Sequence, residues 1–310
     1  MRQLGKGLAF CSPWIIGFLV FTLLPVGLSL YYSLCDYSLL QPPAFIGTAN
    51  YREMVDDPVF RKSLTNTLYY ALMALPASMM VSLALALLLD LKIRGQTIYR
   101  TIIFLPSLVP TVASAMLWLW LFNAKLGLIN TLLDTAPMHL VIAGLNAVLG
   151  LCHLPQIDTP IGWLTNPSVV LPSLAFMSLW GVGQTVVIYL AGLQDVPREL
   201  LESAEIDGAG SARRLLHVTL PMISPVIFFN LIMAIIGTLQ VFSIPFIMTG
   251  ADGNPARAGL FFSMYLYSNA FLFLKMGYAS ALAWMQLLIV LALTALAFWS
   301  SKRWVHYQGG

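Results

Sequence analysis

Long apolar runs, each of about 20 residues, alternate with short polar stretches along this chain, and runs of that length fit membrane-crossing helices. They lie at roughly 10–33, 66–89, 101–122, 168–193, 222–248 and 279–300, six in all. Pro25, Pro76, Pro106, Pro110, Pro225 and Pro245 fall in or beside them. Spanning helices tolerate proline because neighbouring groups satisfy the freed carbonyls, so kinks are expected there. The first run is too long, and too rich in Trp14, Phe18 and Pro25, for a cleaved signal segment, and reads as a retained span. A further stretch, Met138–Leu151, is short for a crossing. It is expected within an outer cap, residues 123–167, as a helix lying at the interface. The expected fold is an all-α polytopic membrane protein with one membrane domain over residues 1–310.

Composition supports the pattern. The chain is 59% hydrophobic and 9% charged. Soluble domains carry about 25% charged residues, so this surface cannot face water throughout. A net charge of +3 gives no reason to expect a nucleic acid partner. Lysine and arginine set the orientation. With the N-terminus inside, the inner segments hold Arg2, Lys6, Lys92, Arg94, Arg100, Arg198, Arg213, Arg214, Lys302 and Arg303, which is 10 of the 16 basic residues. Both termini are then expected in the cytoplasm. Cys11, Cys35 and Cys152 have no metal-type spacing and are expected as free thiols.

One segment breaks the apolar pattern. Glu199–Pro221, between the fourth and fifth runs, carries Glu199, Glu202, Glu205, Asp207, Arg213 and Arg214. Pro197 suits a first helical turn that Asp195 could cap, and the early glutamates favour the helix dipole. Leu200, Leu201 and Ala204 fall at helical spacing on one apolar face. Gly208 and Gly210 around Ala209 should end this helix in a turn. Ser211 could cap a second helix leading to Pro221. The segment therefore predicts a helix–turn–helix elbow on the cytoplasmic side.

The elbow resembles the signature loop of ABC importer permeases: Glu-Ala-Ala, three residues, Gly, nine residues, Ile, any residue, Leu-Pro. Here the pattern reads Glu202-Ser203-Ala204, Gly208, Val218, Leu220-Pro221 at matching spacing. Further stretches, including Phe45–Phe60, Asn66–Leu72, Tyr99–Phe122 and Gly277–Met285, are similar to the maltose- and lactose-type sugar branch. Thr249–Pro255 stands where that branch often has Gly-Gly-Pro.

The resemblance implies a multi-pass subunit of a prokaryotic cytoplasmic membrane. A second homologous permease subunit would complete the pathway. Two cytoplasmic ATPase subunits would use ATP and Mg, and an extracellular or periplasmic binding protein would deliver a sugar. No cofactor belongs to this chain. Glu202, Ser203, Ala204, Asp207, Gly208, Ala209 and Pro221 would couple it to the ATPase. For the substrate pathway the resemblance, with the intramembrane polar residues, points to Trp180, Gly181, Gln184, Gly237, Thr238, Gln240 and Val241. Glycerol phosphate or a polyol is the alternative cargo. The chain has no G-x-x-x-x-G-K-[ST] phosphate loop, so the energy must come from another subunit. A secondary transporter would usually show ionisable groups inside the spans and an internal repeat, and a membrane enzyme would need clustered His, Asp, Glu or Cys; neither pattern is present.

Overall fold

The structure, a computed structural model, describes residues 2–91, 94–135, 138 and 160–306. Met138–Leu151 therefore lies outside the described residues apart from Met138, as do Cys152 and two of the four histidines, His139 and His153. In chain order the described helices are α1 Arg2–Phe18, α2 Leu24–Ser33, α3 Ala49–Asp56, α4 Pro58–Asp90, α5 Gln96–Phe104, α6 Thr111–Leu121, α7 Leu128–Leu133, α8 Val170–Ser178, α9 Gly183–Gln194, α10 Arg198–Ile206, α11 Ser211–Arg214, α12 Leu220–Met222, α13 Ser224–Leu239, α14 Ser243–Thr249, α15 Phe262–Tyr267 and α16 Met276–Ser301. Strands β1 Cys35–Asp36 and β2 Ala44–Phe45 pair antiparallel.

Every expected span meets helix. Phe10–Ser33, Pro58–Asp90, Ser224–Thr249 and Met276–Ser301 are each long and apolar enough to cross a membrane. The other two spans are broken. Gln96–Leu108 and Thr111–Leu121 meet at 96°, and Val170–Gly181 and Gly183–Gln194 at 52°. The first break has a sequence cause: Val109 and Pro110 are extended, because proline disfavours helical geometry in the residue before it. Pro76, by contrast, sits inside an uninterrupted α4.

The chain forms two compact units, Met1–Arg61 with Met264–Ile289, and Lys62–Ser263 with Val290–Gly310. In the first, Asn50 donates to the carbonyls of Ser33 and Cys35, each at 2.9 Å. Gly277 packs so closely that a β-carbon would stand 2.1 Å from the Cys35 carbonyl. Cys35 and Cys11 are free thiols. Asp57 ends α3 and starts α4, its Oδ1 accepting the Val59 N–H at 2.8 Å. Its Oδ2 accepts from Tyr278 at 2.9 Å and from Tyr265.

Burial would raise the Asp57 carboxyl, but the hydrogen bonds from Tyr265, Tyr278 and the α4 backbone outweigh it and hold the group below the usual carboxylate range. A depressed folded-state value stabilises the fold above the ordinary carboxylate range, and that gain is lost as pH falls through the folded value. Asp57→Asn is therefore expected to lower the thermal midpoint at pH 7 by several degrees, at roughly 2–4 °C per kcal/mol. The gap to the wild type should persist down to the ordinary carboxylate range and shrink only below it, as the medium is acidified through the depressed folded-state value. A gap independent of pH in thermal melts would show that the carboxylate charge is not what matters.

In the second unit, Asn66 near the start of α4 donates to the Arg257 and Leu260 carbonyls at 2.8 and 3.0 Å. Thr67 Oγ1 accepts the Phe262 N–H at 2.9 Å. These bonds clamp the loop that follows Thr249–Pro255. A buried cluster of Ala86, Leu89, Val186, Tyr189, Leu193, Val196 and Ile223 ties α4, α9 and the start of α13 together. At the α9–α13 crossing a β-carbon on Gly192 would reach 2.8 Å from a Val226 methyl, so only glycine allows this approach.

Candidate functional site

The elbow forms as the spacing predicts, with two corrections to its capping. Asp195 closes α9 rather than capping α10, and Pro197 occupies the N-cap position just ahead of Arg198. Gly210, not Ser211, stands at the N-cap of α11. In both cases the backbone enters the helix without a side-chain cap.

The signature spacing has a direct structural cause. Gly208 takes a left-handed φ of 78°. The Ala209 N–H bonds the Ala204 carbonyl at 2.9 Å and the Gly208 N–H bonds the Glu205 carbonyl at 3.0 Å. These are the two bonds of a Schellman helix stop, which requires glycine-like geometry four residues after Ala204. Asp207 ends the helix, its N–H on the Ser203 carbonyl at 3.0 Å, and Ser203 Oγ donates back to Glu199 at 2.7 Å. Arg214 reaches across the elbow to Glu205 at 2.7 Å.

The apolar face divides differently from the expectation. Leu201 packs against the buried cluster and Ala204 is half-buried, but Leu200 is turned out and 43% exposed. Ile206 is 87% exposed, beside exposed Glu202, Ser203, Glu205 and Asp207. One face of α10 is thus anchored and the other, mixed apolar and acidic, is open. Beyond α11 the chain does not stop before Pro221. It passes through a wide π turn at Leu215–Thr219 into α12, which contains Pro221. A widened turn accommodates a proline that cannot donate to the preceding carbonyl.

The elbow is rooted in α9 and α13, and the residues expected on the substrate pathway lie at the far ends of those same helices. α9 spans about 18 Å and α13 about 24 Å at 1.5 Å per residue. Trp180 and Gly181 sit in the short 3-10 turn Leu179–Gly181 where the fourth span bends, and Gln184 is the second residue of α9. Gly237 and Thr238 end α13, and Gln240 and Val241 form the break before α14. Gly181, Gln184, Gly237 and Gln240 are exposed, and β-carbons on Gly181 and Gly237 would meet nothing within 4 Å. Neither Gln184 nor Gln240 has a side-chain hydrogen bond among the described residues, so two amides stand open at the two breaks. No hydrogen bond or ring contact joins the two sets of residues to each other.

Thr238 differs: its hydroxyl is spent on the Ala234 carbonyl at 2.7 Å, and it borders an apolar cleft lined by Leu68, Leu75 and Leu293. Asn230 is likewise bonded within its own helix, to Val226 at 3.0 Å. One element escaped sequence reasoning. Trp118 meets Trp180 edge-on with ring centres 6.2 Å apart and also touches Phe122 and Phe176. The only signal was an aromatic pair at helical spacing, Trp118 and Phe122, which is more often plain packing.

Residues 78–306 match the family described as binding-protein-dependent transport system inner membrane component. The chain belongs to that family. As an inner membrane transport component it is a permease and not an enzyme. It is 38% identical over 304 residues to a probable ABC transporter permease protein, YesP, of Bacillus subtilis, covering 97% of this chain and 92% of the relative. It is 34% identical to the lactose transport system permease protein LacF of Rhizobium radiobacter, covering 96% and 94%. It is 32% identical to the sn-glycerol-3-phosphate transport system permease protein UgpA of Pectobacterium atrosepticum, covering 96% and 94%. A chain of a bacterial alginate ABC transporter, in complex with alginate pentasaccharide-bound periplasmic protein, shares the fold at TM-score 0.75, with 21% identity and 97% and 96% coverage.

Proposed function

We propose that this permease forms half of the pathway of an ATP-driven importer for a carbohydrate delivered by a binding protein. A second permease subunit completes the pathway, two cytoplasmic ATPase subunits dock on the elbow, and both termini face the cytoplasm. One observation carries the reading: the open face of α10 and the two open breaks are opposite ends of the same two helices. A displacement of the elbow is then delivered through α9 and α13 to the points where those spans are interrupted. Interrupted helices are a common device for exposing polar groups at membrane depth.

The cargo reading follows from the side chains at the breaks. Amides match hydroxyls in pairs, and aromatic faces such as Trp180 stack on sugar rings. A glycerol phosphate is the second reading, supported by the likeness to UgpA. No lysine or arginine stands in Leu179–Gln184 or Gly237–Phe242, which favours a neutral solute over an anion. The test is ATPase stimulation in proteoliposomes holding the whole importer and its binding protein, across sugars, polyols and sn-glycerol-3-phosphate. Stimulation by the phosphate alone would overturn the sugar reading.

Gln184→Leu and Gln240→Leu are each expected to raise the uptake KM about threefold to tenfold, the cost of one hydrogen bond at about 0.5–1.5 kcal/mol. Amounts of assembled complex should stay unchanged, because neither amide supports the fold. Unchanged KM in both variants would move the site to the partner permease.

A further inference from the structure

One cation of the second unit is left without a partner by everything above. Arg100 stands one turn into α5, and its Nε is buried with no hydrogen bond; no described residue pairs with its guanidinium. Arg100 as a whole is half-buried, but a buried donor with no acceptor is costly, and native proteins seldom leave one unanswered. Arg100 borders a cavity of about 220 Å³ between the end of α4, α5 and α9. Apart from Arg100, the one other long polar side chain on the cavity is Gln194, at the end of α9. The rest of the wall is apolar, with Leu89, Ile103, Phe104 and Val187 among it. Val187 is 47% exposed, so the cavity opens outward along α9.

We infer that this cavity binds the phosphate of an anionic phospholipid. Arginine's planar fork suits phosphate oxygens, and the charge calls for an anion. The volume, about seven waters' worth, admits a phosphate and the first methylenes of a chain. The apolar wall distinguishes a lipid from a soluble anion. Val187 lies seven residues, about 10 Å, from the α9 terminus at Gln194 toward the middle of the span, where an acyl chain runs and a soluble protein does not. Arg100 belongs to the basic residues assigned above to the cytoplasmic boundary, where basic pockets between spanning helices meet lipid headgroups. The inference is independent of which solute is carried.

The experiment uses the intact importer complex in phosphatidylcholine nanodiscs doped with a photoreactive phosphatidylglycerol. The readout is labelling of the α9 peptide, Gly183–Gln194, after digestion. Wild type is expected to label. Arg100→Gln should label about tenfold less or weaker still, and Arg100→Lys should fall between. Val187→Phe, which narrows the opening and keeps the cation, should also lose label and stands in where Arg100→Gln fails to assemble. Equal labelling in wild type and both loss variants would overturn the proposal. So would displacement of the label by millimolar inorganic phosphate, which would make this a soluble-anion site. Loss of the ATPase subunits from Arg100→Gln with its lipid label intact would instead assign Arg100 to a protein contact.

Discussion

Gly208→Val is expected to leave the subunit inserted in the membrane and to abolish solute-stimulated ATPase activity. The left-handed φ of 78° costs a residue with a β-carbon about 1–2 kcal/mol, and a β-branched one more. Nothing lies within 4 Å of the missing β-carbon, so the penalty is conformational and not a clash. The Schellman bonds from Ala209 and Gly208 would open, α10 would lose its fixed end, and the Glu205–Arg214 pair would no longer set the angle of the elbow. The rest of the unit is held by the buried cluster around Tyr189 and Ile223 and should survive. Asparagine tolerates this conformation, so Gly208→Asn should retain much of the activity. Gly208→Asp has the same shape as Asn but adds a carboxylate beside Asp207; activity lost in Asp and kept in Asn would assign the effect to charge at the docking face. Solute-stimulated ATPase and uptake in proteoliposomes separate these outcomes. Normal coupled uptake by the valine variant would sink the coupling role of the elbow.

The elbow was legible because its cues are local. Glycine at a fixed distance from the end of an amphipathic stretch specifies a helix stop whatever surrounds it, and Gly208 delivers one. Capping at Asp195 and Ser211 was misjudged because those side chains only permit a cap, while the backbone of the preceding helix and turn decides whether it is used. The six spans were legible from apolar length alone. Their breaks were less so: Pro110 announces the first, but the bend at Leu179–Val182 contains no proline. That turn packs against the neighbouring 3-10 turn Leu105–Leu108, a tertiary contact with no local signature. The same limit applies to the pathway residues. Sequence singles out polar positions inside spans, but the contacts separate them. Thr238 and Asn230 spend their polar groups on their own helices, while Gln184 and Gln240 keep theirs open.

Glycines at the same break divide into two kinds, and substitution should tell them apart. A β-carbon on Gly183 would fall 2.6 Å from the Ile103 carbonyl oxygen and 2.9 Å from the Phe104 α-carbon. Both are backbone atoms of α5, which cannot rotate away as a side chain would. Gly183→Val must therefore drive α9 from α5, and the expected loss is about 3 kcal/mol or more, at the upper end for overpacking a close contact. The complex should melt well below the wild type, and little should be recovered from the membrane. Gly181, two residues earlier, faces open space, as does Gly237 near the end of α13. Gly181→Ala and Gly237→Ala are expected to melt with the wild type and yet change the uptake KM, because added methyls would stand on the proposed solute pathway. A normal melt for Gly183→Val would contradict the close approach of α5 and α9. Unchanged uptake in both alanine variants would take the open faces of these breaks out of the pathway. Stability lost at Gly183 together with transport altered at Gly181 would place the two roles, packing and passage, on opposite sides of one bend in the chain.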